Sequence, residues 1–502
     1  MIQYSKYKFC TWERKNLAKQ KSLKLNAMLN LIKVGLSVVY PLITFPYATR
    51  ILQVANMGKV SYGDSIIKIF MLIASLGITN YAVREGSKYR ENRTKLNQFS
   101  REVFSINLLS TLISYICLAI FCVVSVKMHD YATLVFIQSL TIIFATLGVE
   151  WVNAIHEDYL YITIRSIIIQ TIGVILLFFV VKTQEDYLKY AGLTVFVNGL
   201  VCVSNMLHVR RYVSLKPTLK LNLKRHFKPI MLFFSNSIAV LVYVSADMTM
   251  LGWISGDFYT GLYAVSVKVY SVVKQMLGAI YMVTIPRLSK AATLDDKTEF
   301  RQLLTEISSF LLLLMIPMCT GLGVLSKNIV YILSGEKFIA ATLSLQILAV
   351  SVFFAITGGV ITTCMNVPLG KEALNLKATT ISAFVNVGLN LVFIPLWQQN
   401  GAAVTTAISE LVVVVVCLFE FKEARVYFEM DKLFYTMKYA VAGALWILLT
   451  KFVVTKFITH YTLNLLAVFF ISVIGYTLIL FFGKNEVFIE TLKKTPLKKL
   501  VK

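Results

Sequence analysis

Acidic residues are scarce in this 502-residue chain: 26 Asp and Glu stand against 50 Lys and Arg, and charged residues of both signs make up only 15%. A water-soluble fold carries nearer ~25%, so too few charges remain to cover an aqueous surface. The five histidines are scattered without metal-ligand spacing, which speaks against a metal or cofactor centre. The cysteines (Cys10, Cys117, Cys122, Cys202, Cys319, Cys364 and Cys417) form no CxxC pair and no disulfide framework, so they read as small buried residues. No Asp-x-Asp motif of a nucleotide-sugar transferase is present, and no connecting segment exceeds about 20 residues. An extramembrane catalytic domain is therefore not expected.

Apolar residues fill the space that charge leaves: 57% are hydrophobic and the mean hydropathy is +0.70. Long apolar stretches recur at roughly 25–47, 61–83, 103–125, 131–150, 159–181, 188–208, 229–252, 261–285, 303–325, 339–365, 373–396, 401–421, 436–457 and 462–483. Each approaches the ~20 residues that cross ~30 Å of hydrocarbon as a helix. Runs such as Leu411 to Phe421 lack the alternation of a barrel strand. The expected fold is all-α and integral to the membrane, with about fourteen crossings.

The net charge of +24 is distributed as a topology signal rather than as a nucleic-acid patch. Counted by alternate sides, with residues at span edges assigned to the adjoining loop, 36 Lys and Arg fall on the side of both termini. Nine fall on the other side, and five lie within spans. This bias places both termini in the cytoplasm. The basic stretch 1–24 is followed by no small-residue cleavage site, so the first span reads as a retained helix.

A weak repeat divides the chain. Tyr62–Phe70 matches Leu262–Tyr270 at an offset of 200, aligning Lys68 with Lys268, while Tyr40 and Thr44 correspond to Tyr243 and Asp247. Parallel repeats suggest two six-helix lobes about an axis along the membrane normal. The expected organisation is an N-lobe at 25–208, a cytoplasmic linker at 209–228, a C-lobe at 229–421, two further helices at 436–483 and a basic tail at 484–502.

Polar residues inside spans are costly, at ~2.5–3.5 kcal/mol for a charge at the centre of a span, and they face protein or water. Helical periodicity places Asn26, Asn30, Lys33, Ser37, Tyr40, Thr44 and Tyr47 on one stripe of the first span. Ser61, Asp64, Lys68, Ser75 and Thr79 align on the second, and the seventh offers Asn236, Tyr243 and Asp247. On the eighth, Tyr263, Tyr270, Lys274 and Tyr281 share a line, with Lys268 on the far side near Ser271 and Gln275. Bland readings stand beside these. Asp64 and Lys68, four apart, suit an intrahelical ion pair, and Lys33 and Arg165 are placed to snorkel. Glu410, halfway along the twelfth span without a local cation, is either paired across helices or protonatable. Five span cations (Lys33, Lys68, Arg165, Lys268 and Lys274) against three carboxylates (Asp64, Asp247 and Glu410) imply a net basic cavity for an anionic amphiphile. Lysine serves as a point charge for phosphate, and tyrosines and asparagines serve sugar rings. Lys33, Lys68, Lys268, Lys274, Arg165, Tyr270, Asn30 and Tyr40 are the substrate candidates, and Asp64, Asp247 and Glu410 the ion-coupling candidates.

At this point the sequence resembles the Wzx-type polysaccharide flippases. Phe45-Pro46-Tyr47-Ala-Thr-Arg50-Ile-Leu52 is similar to the end of their first helix. Glu150-Trp151, Glu157-Asp158-Tyr159 and Ile164-Arg165-Ser166 resemble their fourth-to-fifth connection. Asp247–Gly252, Gly261-Leu-Tyr263, Lys268 and Pro286-Arg287-Leu-Ser289 resemble helices seven and eight, and Pro368–Lys371 and Gly401–Glu410 the later half. The usual glutamine-glycine pair after Trp151 is missing. The resemblance implies the MATE-like fold of the multidrug/oligosaccharidyl-lipid/polysaccharide exporters, alternating access, and an undecaprenyl-diphosphate-linked oligosaccharide as substrate. It also implies a bacterial inner-membrane location, with a polysaccharide polymerase and a chain-length regulator as candidate partners. A drug/cation antiporter or a lipid II flippase on the same fold, and a membrane glycan polymerase, are the rival readings.

Overall fold

The computed structural model describes residues 23–218 and 222–493, and no strand occurs among them. The side chains of Asn26, Asn30, Lys33, Ser37, Asn236 and Tyr243 lie outside the described residues. Among the described residues, ten helices are long and apolar enough to cross a membrane. Two bent pairs pass together: Arg225–Val242 with Ser245–Ser255, at 50°, and Asp257–Met282 with Ile285–Ala292, at 43°.

Two continuous helices are too long for one crossing. Leu23–Ser75 has 53 residues and Glu372–Glu420 has 49, or roughly 74–80 Å at 1.5 Å per residue. Each turns at a glutamine with non-helical backbone, Gln53 (φ 65, ψ 179) and Gln398 (φ 48, ψ −125). The Gln53 amide donates to the carbonyl of Arg50 at 2.9 Å, meeting one acceptor that the turn leaves open. Dividing both helices at these turns is compatible with fourteen crossings.

In the first half, Arg93–Val124, Ala132–Gly148 and Tyr159–Val180 pack along Leu23–Ser75, and Ala132–Gly148 pairs with Tyr187–Val209. In the second, Leu223–Ser255 lies against Glu372–Glu420, which also holds Thr342–Gly359. Met430–Phe457 packs on Thr298–Val324 and pairs with Tyr461–Phe482. Glycines set that last pairing: a Cβ on Gly443 would lie 2.4 Å from the Tyr476 ring, and one on Gly475 2.1 Å from Trp446. Small residues under aromatic rings let membrane helices approach closely where hydrophobicity alone drives no association.

The largest buried cluster joins the halves: Phe45, Leu52, Val54 and Met57 of the first half share it with Leu251, Leu262 and Tyr263. A second cluster, at the basic end, places Ile230, Met231 and Phe233 among Tyr81, Phe99 and Trp151. The start of the seventh span is thus held by the first half; its length lies along Glu372–Glu420 of the second, and near its far end Thr249 donates to Ser65 of the first half at 2.9 Å.

Candidate substrate cavity

Between the halves lies a cavity of about 1260 Å³, bounded by the first, second and fourth spans, the sixth to eighth, and the tenth and twelfth. It runs along the eighth span from Tyr263 to beyond its basic end at Pro286. Lys68 and Lys268, equivalent under the repeat, both line it, as does Lys274. Lys268 and Lys274 stand ~120° apart around that helix, and both border the cavity with Ser271 and Gln275 between them.

The charges are organised in pairs. Lys68 and Asp64 bridge at 2.7 Å, one turn apart, and about half of each side chain is exposed to the cavity. Lys274 meets Glu410 at 2.6 Å, and the Tyr270 hydroxyl donates to the same carboxylate oxygen at 2.6 Å. Glu410 has no cation within a turn of it on its own helix. Its partner comes across from the eighth span, and sequence spacing cannot show a neighbour of that kind. Lys268 forms no ion pair among the described residues; its ammonium sits 5.7 Å from the centre of the Phe45 ring.

Asp247 is buried in a nest of uncharged donors. Asn390 donates to it at 2.7 Å, the Tyr263 hydroxyl at 3.0 Å, and Thr406 closely from the twelfth span. Thr405 and Asn386 in turn hold Asn390, at 2.5 and 3.0 Å. Sequence reading found Asp247 and missed Asn386, Asn390, Thr405 and Thr406. The signal was available, since the two asparagines lie one turn apart on the eleventh span.

The described lining holds three lysines (Lys68, Lys268 and Lys274) and three carboxylates (Asp64, Asp247 and Glu410), and Lys33, a further cation expected there, lies outside the described side chains. Two site expectations need correction. Arg165 neither snorkels nor lines the cavity: it is 6% exposed, bonded to the Asn205 side chain and 3.4 Å from Glu150, because its face of Tyr159–Val180 meets Tyr187–Val209. Tyr40 is half-buried and also absent from the cavity wall; its hydroxyl crowds Gly173 of the fifth span. Asn30 and Lys33 lie outside the described side chains.

The motif residues take structural positions. Arg50 donates to the carbonyl of Ile332 at 2.5 Å, and Thr49 reaches that of Leu333, so a first-half cation caps the end of the second-half helix Ser326–Ser334. Trp151 is buried in the basic-end cluster. Pro286 opens the helix Ile285–Ala292, and Arg287 is exposed. Pro46 lies inside the first long helix.

The cation-poor end is sealed by backbone against backbone. A Cβ on Gly58 would lie 1.8 Å from the carbonyl oxygen of Asp257, and one on Gly261 2.0 Å from that of Val54. Only glycine permits this crossing of the second and eighth spans. Beside it Tyr131 donates to Asp257, and Lys127 to the carbonyl of Gly252. Burial holds the Lys127 ammonium below its usual range, with Asp257 pulling the other way. Gly256, at φ 85 and ψ −177, makes the turn between the two spans in a conformation reserved for glycine.

The sequence profile described as "Polysaccharide biosynthesis protein" matches residues 23–292. A Shigella dysenteriae protein named as an O-antigen transporter is 22% identical over 401 residues, covering 79% of this chain and 99% of that protein. Among solved structures, the lipid II flippase MurJ in an inward closed conformation superposes with a TM-score of 0.71 at 16% identity, over 92% of this chain and 99% of that one. An inward-facing MATE multidrug transporter gives 0.54 at 14%, over 78% and 97%. At those identities the structural matches establish the fold, a MATE-like arrangement of membrane helices. The profile covers more than half of the chain, and this chain belongs to the polysaccharide biosynthesis protein family.

Proposed function

We propose that the protein flips a lipid-linked oligosaccharide, carried on a polyprenyl diphosphate such as undecaprenyl diphosphate, from the cytoplasmic to the outer leaflet. The observation that carries this reading is the inter-half cavity, which three lysines, several tyrosines and polar amides line from both halves. The alignment of 79% of this chain with nearly all of a protein named as an O-antigen transporter supports it. The charge bias assigns the basic end to the cytoplasm, so the sealed end faces outward and the cavity receives substrate from inside.

The paired charges suggest how the cavity takes an anion. A diphosphate competes with Asp64 for Lys68 and meets Lys268 without displacing a carboxylate, while the tyrosines and amides offer apolar faces and hydrogen bonds to sugars. Loading Asp247 with a proton or monovalent cation makes the cavity one charge more positive, linking ion binding to anion capture. The membrane potential assists outward movement of an anion by ~2.3 kcal/mol per charge per 100 mV. A polymerase and a chain-length regulator are the expected partners downstream.

The test is surface polysaccharide in cells carrying Lys268→Ala or Lys268→Arg. Alanine should lower it several-fold at unchanged protein level and arginine should restore part. Export at the wild-type level with alanine contradicts the reading.

A further inference from the structure

The positive-inside bias leaves nine cations on the cation-poor side, yet three of them, Lys327, Lys451 and Lys456, gather at one corner around the last helix pair. Lys451 lies six residues, roughly 9 Å, before the end of Met430–Phe457. Its ammonium is held by two amide oxygens, those of Asn328 at 3.0 Å and Asn464 at 2.7 Å, and has no carboxylate within ion-pair distance among the described residues. The two asparagines are themselves fixed: Asn328 donates to the carbonyl of Tyr461 at 2.9 Å, and Asn464 to that of Ile458 at 2.8 Å. Lys327, exposed, lies 5.6 Å from the centre of the Tyr461 ring. A partly buried ammonium with only neutral partners at membrane depth is costly, and its charge is available to an anion.

A second, independent feature adjoins it. The residues next in sequence to the two asparagines, Ile329 and Leu465, line an apolar groove of about 260 Å³ that contains no polar surface. Charge and groove together describe a lipid with an anionic head and one hydrocarbon chain.

We propose that Lys451 and Lys327, with this groove, form a second binding site, outside the central cavity, for the diphosphate head and single chain of a polyprenyl diphosphate in the outer leaflet. The site rests on the proposed function for its ligand, and holds the product after release from the cavity. Two features favour a polyprenyl diphosphate over a phospholipid. A groove of about 260 Å³ has room for only a short length of one chain, and two or three lysines suit a diphosphate better than a single phosphodiester.

The experiment uses the full chain in phosphatidylcholine nanodiscs and radiolabelled polyprenyl diphosphate, with phosphatidylglycerol and uncharged polyprenol as competitors. Wild type should show two binding components, one removed by Lys268→Ala. Lys451→Ala and Lys327→Ala should each weaken the other by about tenfold, and Lys451→Arg should retain most of it. Lys327 donates no hydrogen bond to the fold among the described residues, so Lys327→Ala reports on binding even if Lys451→Ala loosens the helix pair. Wild-type binding in both alanine variants overturns the site, as does displacement by phosphatidylglycerol at equal concentration. If Lys268→Ala alone abolishes binding, the central cavity stands and the outer site falls. If none of the three variants changes binding, both readings fall.

Discussion

Replacing Gly261 by alanine places a methyl group 2.0 Å from the Val54 carbonyl oxygen and 2.9 Å from its carbon. Non-bonded contacts to a Cβ essentially never fall below 3.0 Å, so the second and eighth spans must part by about 1 Å at the seal. The obstacle is backbone, which cannot rotate away as a side chain would. Overpacking of this kind costs ~1–3 kcal/mol, charged only to the conformation in which the seal is closed. The closed population should therefore fall roughly 5- to 150-fold relative to one opened to the outer side. Ser271→Cys, placed on the cavity wall in a cysteine-free background, reports this directly: a membrane-impermeant maleimide added outside intact cells should label it at least fivefold faster in the Gly261→Ala chain. Surface polysaccharide should fall in parallel, because a seal that cannot close cannot reload from inside. Unchanged labelling would refute the claim that the glycine crossing is the outer seal.

Four further outcomes follow from named contacts. Glu410→Gln removes the carboxylate to which both Lys274 and Tyr270 donate and should lower thermal stability by up to about 3 kcal/mol, with Lys274→Met in the same chain restoring part of it, as measured by unfolding in detergent. Arg50→Ala frees the Ile332 carbonyl at the inter-half contact and should reduce export more than it reduces protein level; a matching drop in both would make Arg50 a folding residue only. His156, stacked 4.1 Å from the Tyr212 ring, is held down to about 4 from 6.5 by burial and then by Arg90. Its depressed folded-state value means that it contributes stability above pH 6.5 that is lost as pH falls towards 4, so Tm should drop across that window and drop less in His156→Asn. Reporter fusions after Lys127, Lys182, Lys327 and His460 should show outer-side activity; cytoplasmic activity at two of them would overturn the assignment of the sealed end.

The spans, their polar stripes and the repeat were legible because each is a local periodic property. Hydrophobic runs give crossings, 100° steps give faces, and the pairing of Lys68 with Lys268 needs only an offset. Even the tight turn at Gln398 fell between two spans read from the sequence. What was hidden is contact between helices distant in the chain. Arg165 was placed by depth alone, and depth does not reveal that its face meets Asn205. Glu410 looked isolated because its cation comes from another span. For the same reason Arg165 was counted among the cavity cations, although it bonds to the neighbouring helix. The seal was missed altogether, since a glycine that admits a foreign carbonyl looks in sequence like any other small residue in a membrane helix.

The central claim, that the cavity lysines carry an anionic glycolipid across, is tested most directly in proteoliposomes. A fluorescent diphosphate-linked oligosaccharide lipid is supplied in one leaflet, with membrane potential and ion gradients imposed separately. The account predicts transfer by the wild-type chain that accelerates when the receiving side is positive, a several-fold loss with Lys268→Ala, and partial recovery with Lys268→Arg. Transfer at the wild-type rate by Lys268→Ala under every gradient would contradict it.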